Sequence, residues 1–339
     1  MTHPPKFLLL FGTPRSGTTW LGKIFDSHPE TLYKHEPDRK LALPYAPRLL
    51  RERDLAPDIL AFVAQLPAVN TAHAAGRLPV FKKQYRSSIG QSIHKCSVFA
   101  AGAAGVFHRS TPILQCVDVK RPDVRVVWKS TDSLGRLGAI LQVVEDCCAI
   151  RILRHPCGYI ASVLRGEAQQ QFLSSVKTSE DYGIMQDLLT SAGRFNRGLT
   201  LEHLRQFHPI ERMAWIWVLL NEITAEDTQN DRCMSVRYED VCLEPYTKVK
   251  ELFAFCQLRW PRQTEHFIYA STLASKHHGL GRGEGRYYGV FKDPVRSAFK
   301  WKSELTPEQI DSVYRVLRQS DLIRVYPESE PEYARQEAC

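Results

Sequence analysis

Metal-binding signatures are missing from this sequence. It contains no Cys-x-x-Cys pair, no His-Glu-x-x-His and no EF-hand spacing, and His277-His278 falls in a Gly-rich basic stretch where solvated side chains are the simpler reading. No structural metal is therefore expected. The nine cysteines are odd in number and irregularly spaced, with Cys147 next to Cys148, unlike a secreted disulfide framework, which points to a reducing, cytoplasmic setting. Long apolar runs are equally scarce. The longest, residues 96–107, is twelve residues and includes Ser and Gly, well short of the ~20 needed to cross a bilayer. It reads as a buried helix, and no membrane span is expected. Residues 7–11 run straight into Gly12-Thr13-Pro14 without an Ala-x-Ala site, so a secretory signal is not expected either. Residues 41–122 and 167–210 show neither internal repeats nor low complexity, and 43% hydrophobic content over 339 residues excludes a disordered or fibrous chain.

The charge balance is mildly basic, 45 Lys and Arg against 37 Asp and Glu for a net +8. That suits an anionic small ligand as readily as nucleic acid. No nucleic-acid module or aromatic interleaving accompanies it, so nucleic acid is not expected. Along the chain a unit recurs: a short apolar run, a turn, then a helical period. Residues 7–11 lead into 18–27, 124–128 into 133–144, and 148–153 into 156–164; 232–236 is a further strand. Helices are expected at 57–65, 211–225, 246–255 and 307–317, the last capped by Thr306 with Pro307 at its first position. The pattern implies an α/β fold, a parallel sheet flanked by helices on both faces with a P-loop-like nucleotide-binding core and helical insertions. Ligands of such sheets sit at the carboxyl ends of the strands. The chain reads as a single domain over 1–326. Residues 41–122 and 167–210 are elaborations around the site, and 327–339 are a frayed tail.

Gly12-Thr13-Pro14-Arg15-Ser16-Gly17-Thr18-Thr19 has the Gly-x-x-x-x-Gly frame of a phosphate loop in the required strand-to-helix context. Backbone N–H groups and the helix amino end favour an anion, and Thr18 and Thr19 add hydroxyl donors. The lysine of a nucleoside-triphosphate loop is replaced by Thr18, and Arg15 is the loop's cation, which disfavours handling of a γ-phosphate with Mg²⁺.

Residues 12–21 resemble the 5′-phosphosulfate loop of the sulfotransferase family, whose donor is 3′-phosphoadenosine 5′-phosphosulfate (PAPS) and whose product is adenosine 3′,5′-bisphosphate (PAP). Arg151-Ile152-Leu153-Arg154-His155-Pro156, with Ser162 further on, is similar to the family's 3′-phosphate motif. Arg237-Tyr238-Glu239-Asp240-Val241 and Lys300-Trp301-Lys302 resemble two later family segments. The resemblance implies donor contacts from Pro14, Arg15, Ser16, Gly17, Thr18, Thr19, Arg154, Ser162, Tyr238 and Lys300. Arginine suits this role because its planar fork grips phosphate oxygens. Each of these residues also fits an ordinary structural role. A nucleotide kinase and a non-catalytic nucleotide-binding protein are the alternatives. Residues 276–302 carry seven Lys or Arg against Glu284 and Asp293 and fit a flap over the 3′-phosphate or a solvated loop, and less well, for want of aromatic interleaving, a basic arm for nucleic acid.

For proton transfer, small-molecule members of the family carry a His two residues after a strand-end Lys. Here Lys129 is followed by Thr131 in that place. The segment Tyr33-Lys34-His35-Glu36-Pro37 instead resembles the Glu-Pro segment of carbohydrate-type and some bacterial members, which implies Glu36 as general base. His35 is the alternative base, although strand alternation aims it away from Glu36. Lys129 and Arg15 are expected to stabilise the departing phosphate oxygen. The acceptor is a small-molecule, lipid or carbohydrate hydroxyl.

Overall fold

A computed structural model describes residues 3–39, 56–76, 78–103, 111–117, 123–172, 176–273 and 293–328. Five strands form one sheet: β1 (Phe7–Gly12), β2 (Thr31–His35), β3 (Arg125–Ser130), β4 (Cys147–Leu153) and β5 (Cys233–Arg237), in the order β2-β3-β1-β4-β5. Every pairing is parallel. The continuous apolar run of β1, and that of β4 broken only by Arg151, follow from this placement, because a parallel strand covered by helices on both faces offers no polar side. Leu8, Leu9, Leu10 and Phe11 are all fully or almost fully buried.

The strand-to-helix units lie where the sequence pattern puts them, with informative shifts. The strand expected at 124–128 runs on to Ser130, which brings Lys129 into register with Leu10 of β1 and His35 of β2. The helix expected over 133–144 starts as a 3₁₀ turn, Leu134–Arg136, before Leu137–Val143; Gly135 and Gly138 weaken α-helical propensity there. The buried helix expected at 96–107 is corrected. The helix is Ser88–Ala103, and among its described side chains only the His94, Val98 and Ala101 stripe is buried, with Val98 and Ala101 against Ala72 and Ile113. Phe99 is 47% exposed, since three- and four-residue spacing turns a single face inward. The 167–210 insertion holds two short helices, Tyr182–Ser191 and Leu201–Gln206, capped by Asp181 and Thr200.

The chain divides into two compact units, Met1–Arg154 with Asp227–Ala298, and His155–Glu226 with Phe299–Cys339. The first contains the whole sheet. In the second, the His155 ring stacks on Trp301 at 4.5 Å and meets Tyr314 and Tyr326 edge-on, while Trp215 and Trp217 are buried in the helix Pro209–Asp227. Among the described residues no helix is long and apolar enough to cross a membrane, and the eight described cysteines are free thiols.

Candidate active site

Read across the sheet, the carboxyl ends of the five strands carry Glu36 after β2, Lys129 near the end of β3, the Gly12–Thr19 turn after β1, Arg154 after β4 and Tyr238 after β5. Residues more than a hundred positions apart in sequence thus share one rim, as parallel topology requires.

The β1 turn has the geometry of an anion cradle. Arg15 and Gly17 adopt left-handed backbone, φ 72° and 83°, which curls successive N–H groups toward one side. The helix Thr18–Asp26 begins at Gly17 with no side-chain cap, leaving first-turn N–H groups for a ligand. Ser16 Oγ donates to the Thr13 carbonyl at 2.7 Å and braces the turn. Pro14 is exposed and Arg15 and Thr19 half-buried, while Thr13, Ser16 and Thr18 are buried. Gly17 is required for a second reason: a Cβ there would lie 2.2 Å from the Tyr238 ring.

Tyr238 is therefore a wall of the loop. It is buried, and the Arg154 guanidinium lies 5.1 Å from its ring centroid, a cation–π distance. Arg154 reaches the loop directly, donating from Nη1 to the Arg15 carbonyl at 2.6 Å and from Nη2 to the Ser297 carbonyl at 2.7 Å. Among the described residues, two buried polar atoms here have no hydrogen-bond partner, Arg154 Nε and Thr13 Oγ1. A buried donor without a partner costs about 1–3 kcal/mol, so Arg154 Nε–H is a ready contact for an anion. Ser162 and Lys300 belong to the second unit. Ser162 is buried on the helix Pro156–Ala168 and accepts from Arg165 Nη2 at 3.4 Å. Lys300 pairs with Glu304 at 2.9 Å, and Glu304 also pairs with Arg165. Of the basic segment 276–302, residues 276–292 lie outside the described residues.

Glu36 leaves β2 with φ 42°, and this backbone turn defeats simple strand alternation. Instead of diverging, His35 and Glu36 come together with His73, their ligand-type atoms all within 4.8 Å of one another. Glu36 Oε1 holds the Lys129 ammonium and accepts the Thr131 hydroxyl at 3.1 Å; Oε2 is 4.0 Å from His73 Nε2. Lys129 is only 1% exposed and is not the solvated strand-end lysine its position alone would allow. Thr131, standing where a His base was sought, touches the carboxylate nominated in its place. His35 Nδ1 is 2.9 Å from the Tyr33 hydroxyl. Burial, reinforced by Lys129, lowers the His35 pKa well below the usual imidazole range, which weakens it as a proton acceptor. The His35–Glu36–His73 grouping has the make-up of a three-ligand metal site, but the Lys129 ammonium already supplies the positive charge that Glu36 needs.

His73 is the residue that sequence reading did not find. Segment 69–76 has no periodicity. It reaches the site because His35 N–H donates to the Ala74 carbonyl at 2.8 Å and Lys34 Nζ donates to the Val69 carbonyl at 2.6 Å, laying the segment along the edge strand.

Residues 7–262 match the model of the sulfotransferase family. The chain is 22% identical over 379 residues to carbohydrate sulfotransferase 7 of Rattus norvegicus, covering 97% of this chain and 76% of the relative. Among solved structures it is similar to the sulfotransferase domain from the curacin biosynthetic pathway, with 17% identity, 93% and 97% of the two chains covered and a TM-score of 0.46. It is also similar to mouse sulfotransferase SULT7A1 complexed with PAP, with 14% identity, 96% and 89% covered and a TM-score of 0.45. With the family match extending from the first strand through the fifth, this chain belongs to the sulfotransferase family.

Proposed function

We propose that this sulfotransferase takes its sulfonate from PAPS and transfers it to a carbohydrate hydroxyl, with Glu36 as general base and PAP as product. The observation that carries the reading is the buried Glu36–Lys129 pair with the half-buried Thr131 beside it, Glu36 following the strand two places from the phosphate loop, about 10 Å at ordinary strand spacing. The residues fit the donor. The β1 turn offers N–H groups and the Thr13 hydroxyl, while Arg154 offers a buried Nε–H. These groups would hold the nucleotide's phosphates. The family resemblance alone adds Ser162 and Lys300 to the proposed donor contacts.

In the transfer the acceptor oxygen forms a bond to sulfur as the bond between sulfur and the bridging phosphate oxygen breaks. The acceptor proton passes to Glu36, and negative charge leaves with PAP. Proton uptake neutralises Glu36 and loosens its hold on Lys129. The freed ammonium, with Arg15, then stabilises the departing oxygen. The polar surroundings of Glu36, with His73 and Thr131, suit a polyhydroxyl acceptor. The carbohydrate relative supports the same class. Incubation with ³⁵S-labelled PAPS and panels of hexosides, phenols and lipid alcohols tests the assignment. Label on hexosides above the other classes is expected; label confined to phenols or lipids would overturn the acceptor class.

A further inference from the structure

Glu36 is a non-glycine residue at φ 42°, a conformation that costs about 1–2 kcal/mol and persists only where surrounding contacts impose it. One such contact is local: Glu36 N–H donates to the Lys129 carbonyl at 2.8 Å. The others converge two residues on, at Asp38, which is only 7% exposed. Its Oδ2 accepts the Ser130 hydroxyl and, at 2.6 Å, the Ser133 hydroxyl; its Oδ1 faces Trp128 Nε1 at 3.3 Å. All three donors come from 128–133, the segment that also carries Lys129 and Thr131.

Ser130 Oγ in turn accepts the backbone N–H groups of Asp132 and Ser133 at 3.1 and 3.0 Å, shaping the loop that aims Thr131 at Glu36. Arg136 Nη1 donates to Ser133 Oγ at 3.2 Å. Asp38 is thus joined to Glu36 twice, through the stiff Pro37 link and through the Ser130–Thr131 loop. Burial, helped by the nearby Asp132, raises its carboxyl above the usual carboxylate range against the lowering effect of the Ser130 and Ser133 hydroxyls and the Trp128 N–H. A buried carboxylate satisfied by these donors is a costly arrangement for an ordinary turn.

We propose that Asp38 is a positioning residue, clamping the turn after β2 to the loop after β3 so that Glu36 meets Lys129 and Thr131 in one fixed geometry. The proposal rests on Glu36 being the base. It predicts that Asp38→Asn and the milder Ser133→Ala lower kcat for transfer to a p-nitrophenyl hexoside by ~10–10²-fold, the scale of an ångström-level misplacement. PAP affinity and KM for PAPS should stay within about twofold, because neither residue belongs to the phosphate loop.

The acid limb of kcat should also move to higher pH as Lys129 loosens from Glu36. The groups facing Glu36 in this titration are Lys129 from β3, Thr131 from the following loop, Tyr33 and His35 from β2 and His73 from segment 69–76. A purely structural role would lower melting temperature and PAP affinity together and leave the pH profile in place, and that result overturns the proposal. If Asp38→Asn does not fold, Ser133→Ala decides alone. Glu36→Gln, assayed in parallel, separates the two ideas. Inactive Glu36→Gln beside fully active Asp38→Asn and Ser133→Ala rejects the clamp and keeps the base; active Glu36→Gln rejects both.

Discussion

Gly17→Ala perturbs the phosphate loop at its tightest point, and its cost divides into two separable parts. The first is backbone: φ at Gly17 is 83°, and holding an alanine there costs about 1–2 kcal/mol. The second is contact. The new Cβ would lie 2.2 Å from Cδ2 and Cε2 of Tyr238, and that ring has little room to retreat. It is buried, its hydroxyl is hydrogen-bonded with Cys242 and the Arg154 guanidinium lies 5.1 Å from its centroid. Overpacking of this kind typically costs about 1–3 kcal/mol. The substitution should therefore destabilise the protein by about 2–5 kcal/mol in urea unfolding and weaken PAP binding in calorimetry, since Tyr238 and Arg154 move with the ring. In a Tyr238→Ala background the clash is gone and only the backbone part should remain. The difference between the two backgrounds is then a coupling of about 1–3 kcal/mol. Equal costs in both backgrounds, or a Gly17→Ala protein as stable as wild type, would refute the reasoning.

Arg154→Lys keeps the charge but loses the fork and the Nε–H, so PAP affinity in calorimetry should fall by about 1.5–3 kcal/mol; unchanged affinity would remove Arg154 from the donor site. Lys34 is buried against the Val69 carbonyl and the Gln115 side chain, and burial, helped by Arg86, lowers its pKa from 10.5 to about 7. The unfolded chain therefore binds more protons than the folded one between about pH 7 and 10.5, so Lys34 makes stability rise with pH across that window, by at most ~1.4 kcal/mol per pH unit. Lys34→Met should remove that component of the slope, and a stability difference from wild type that does not change with pH would contradict this. Transfer activity should survive EDTA, because the Lys129 ammonium pairs with Glu36 Oε1 and supplies the positive charge there; metal-dependent turnover would instead make His35, Glu36 and His73 a metal centre.

The sheet was legible because its chemistry is local. An apolar run followed by Gly, Thr or Pro and then helical spacing identifies β1, β3 and β4 directly, and parallel pairing then forces residues 12–19, Lys129 and Arg154 onto one rim. Glu36 was visible through the resemblance of residues 33–37 to the family's Glu-Pro segment, but its left-handed turn was not, and strand alternation placed His35 on the wrong side as a result. Nothing in the sequence around His73 announces a site, and Asp38, just past the Glu36-Pro37 segment, carries no signal of its own. Both are held by partners far along the chain, His73 through Glu36 and Asp38 through Ser130 and Ser133, and such contacts leave no periodic trace. The short helices of 167–210 escaped for a related reason: six to ten residues give too few turns for a 3.6-residue period to stand out.

The most direct test of the account is Glu36→Gln, which keeps shape and hydrogen-bonding capacity while removing the proton acceptor. With PAPS and a hexoside acceptor, kcat should fall by ~10²–10⁴-fold while PAP affinity stays at the wild-type value. Turnover close to wild type would show that another group takes the acceptor's proton.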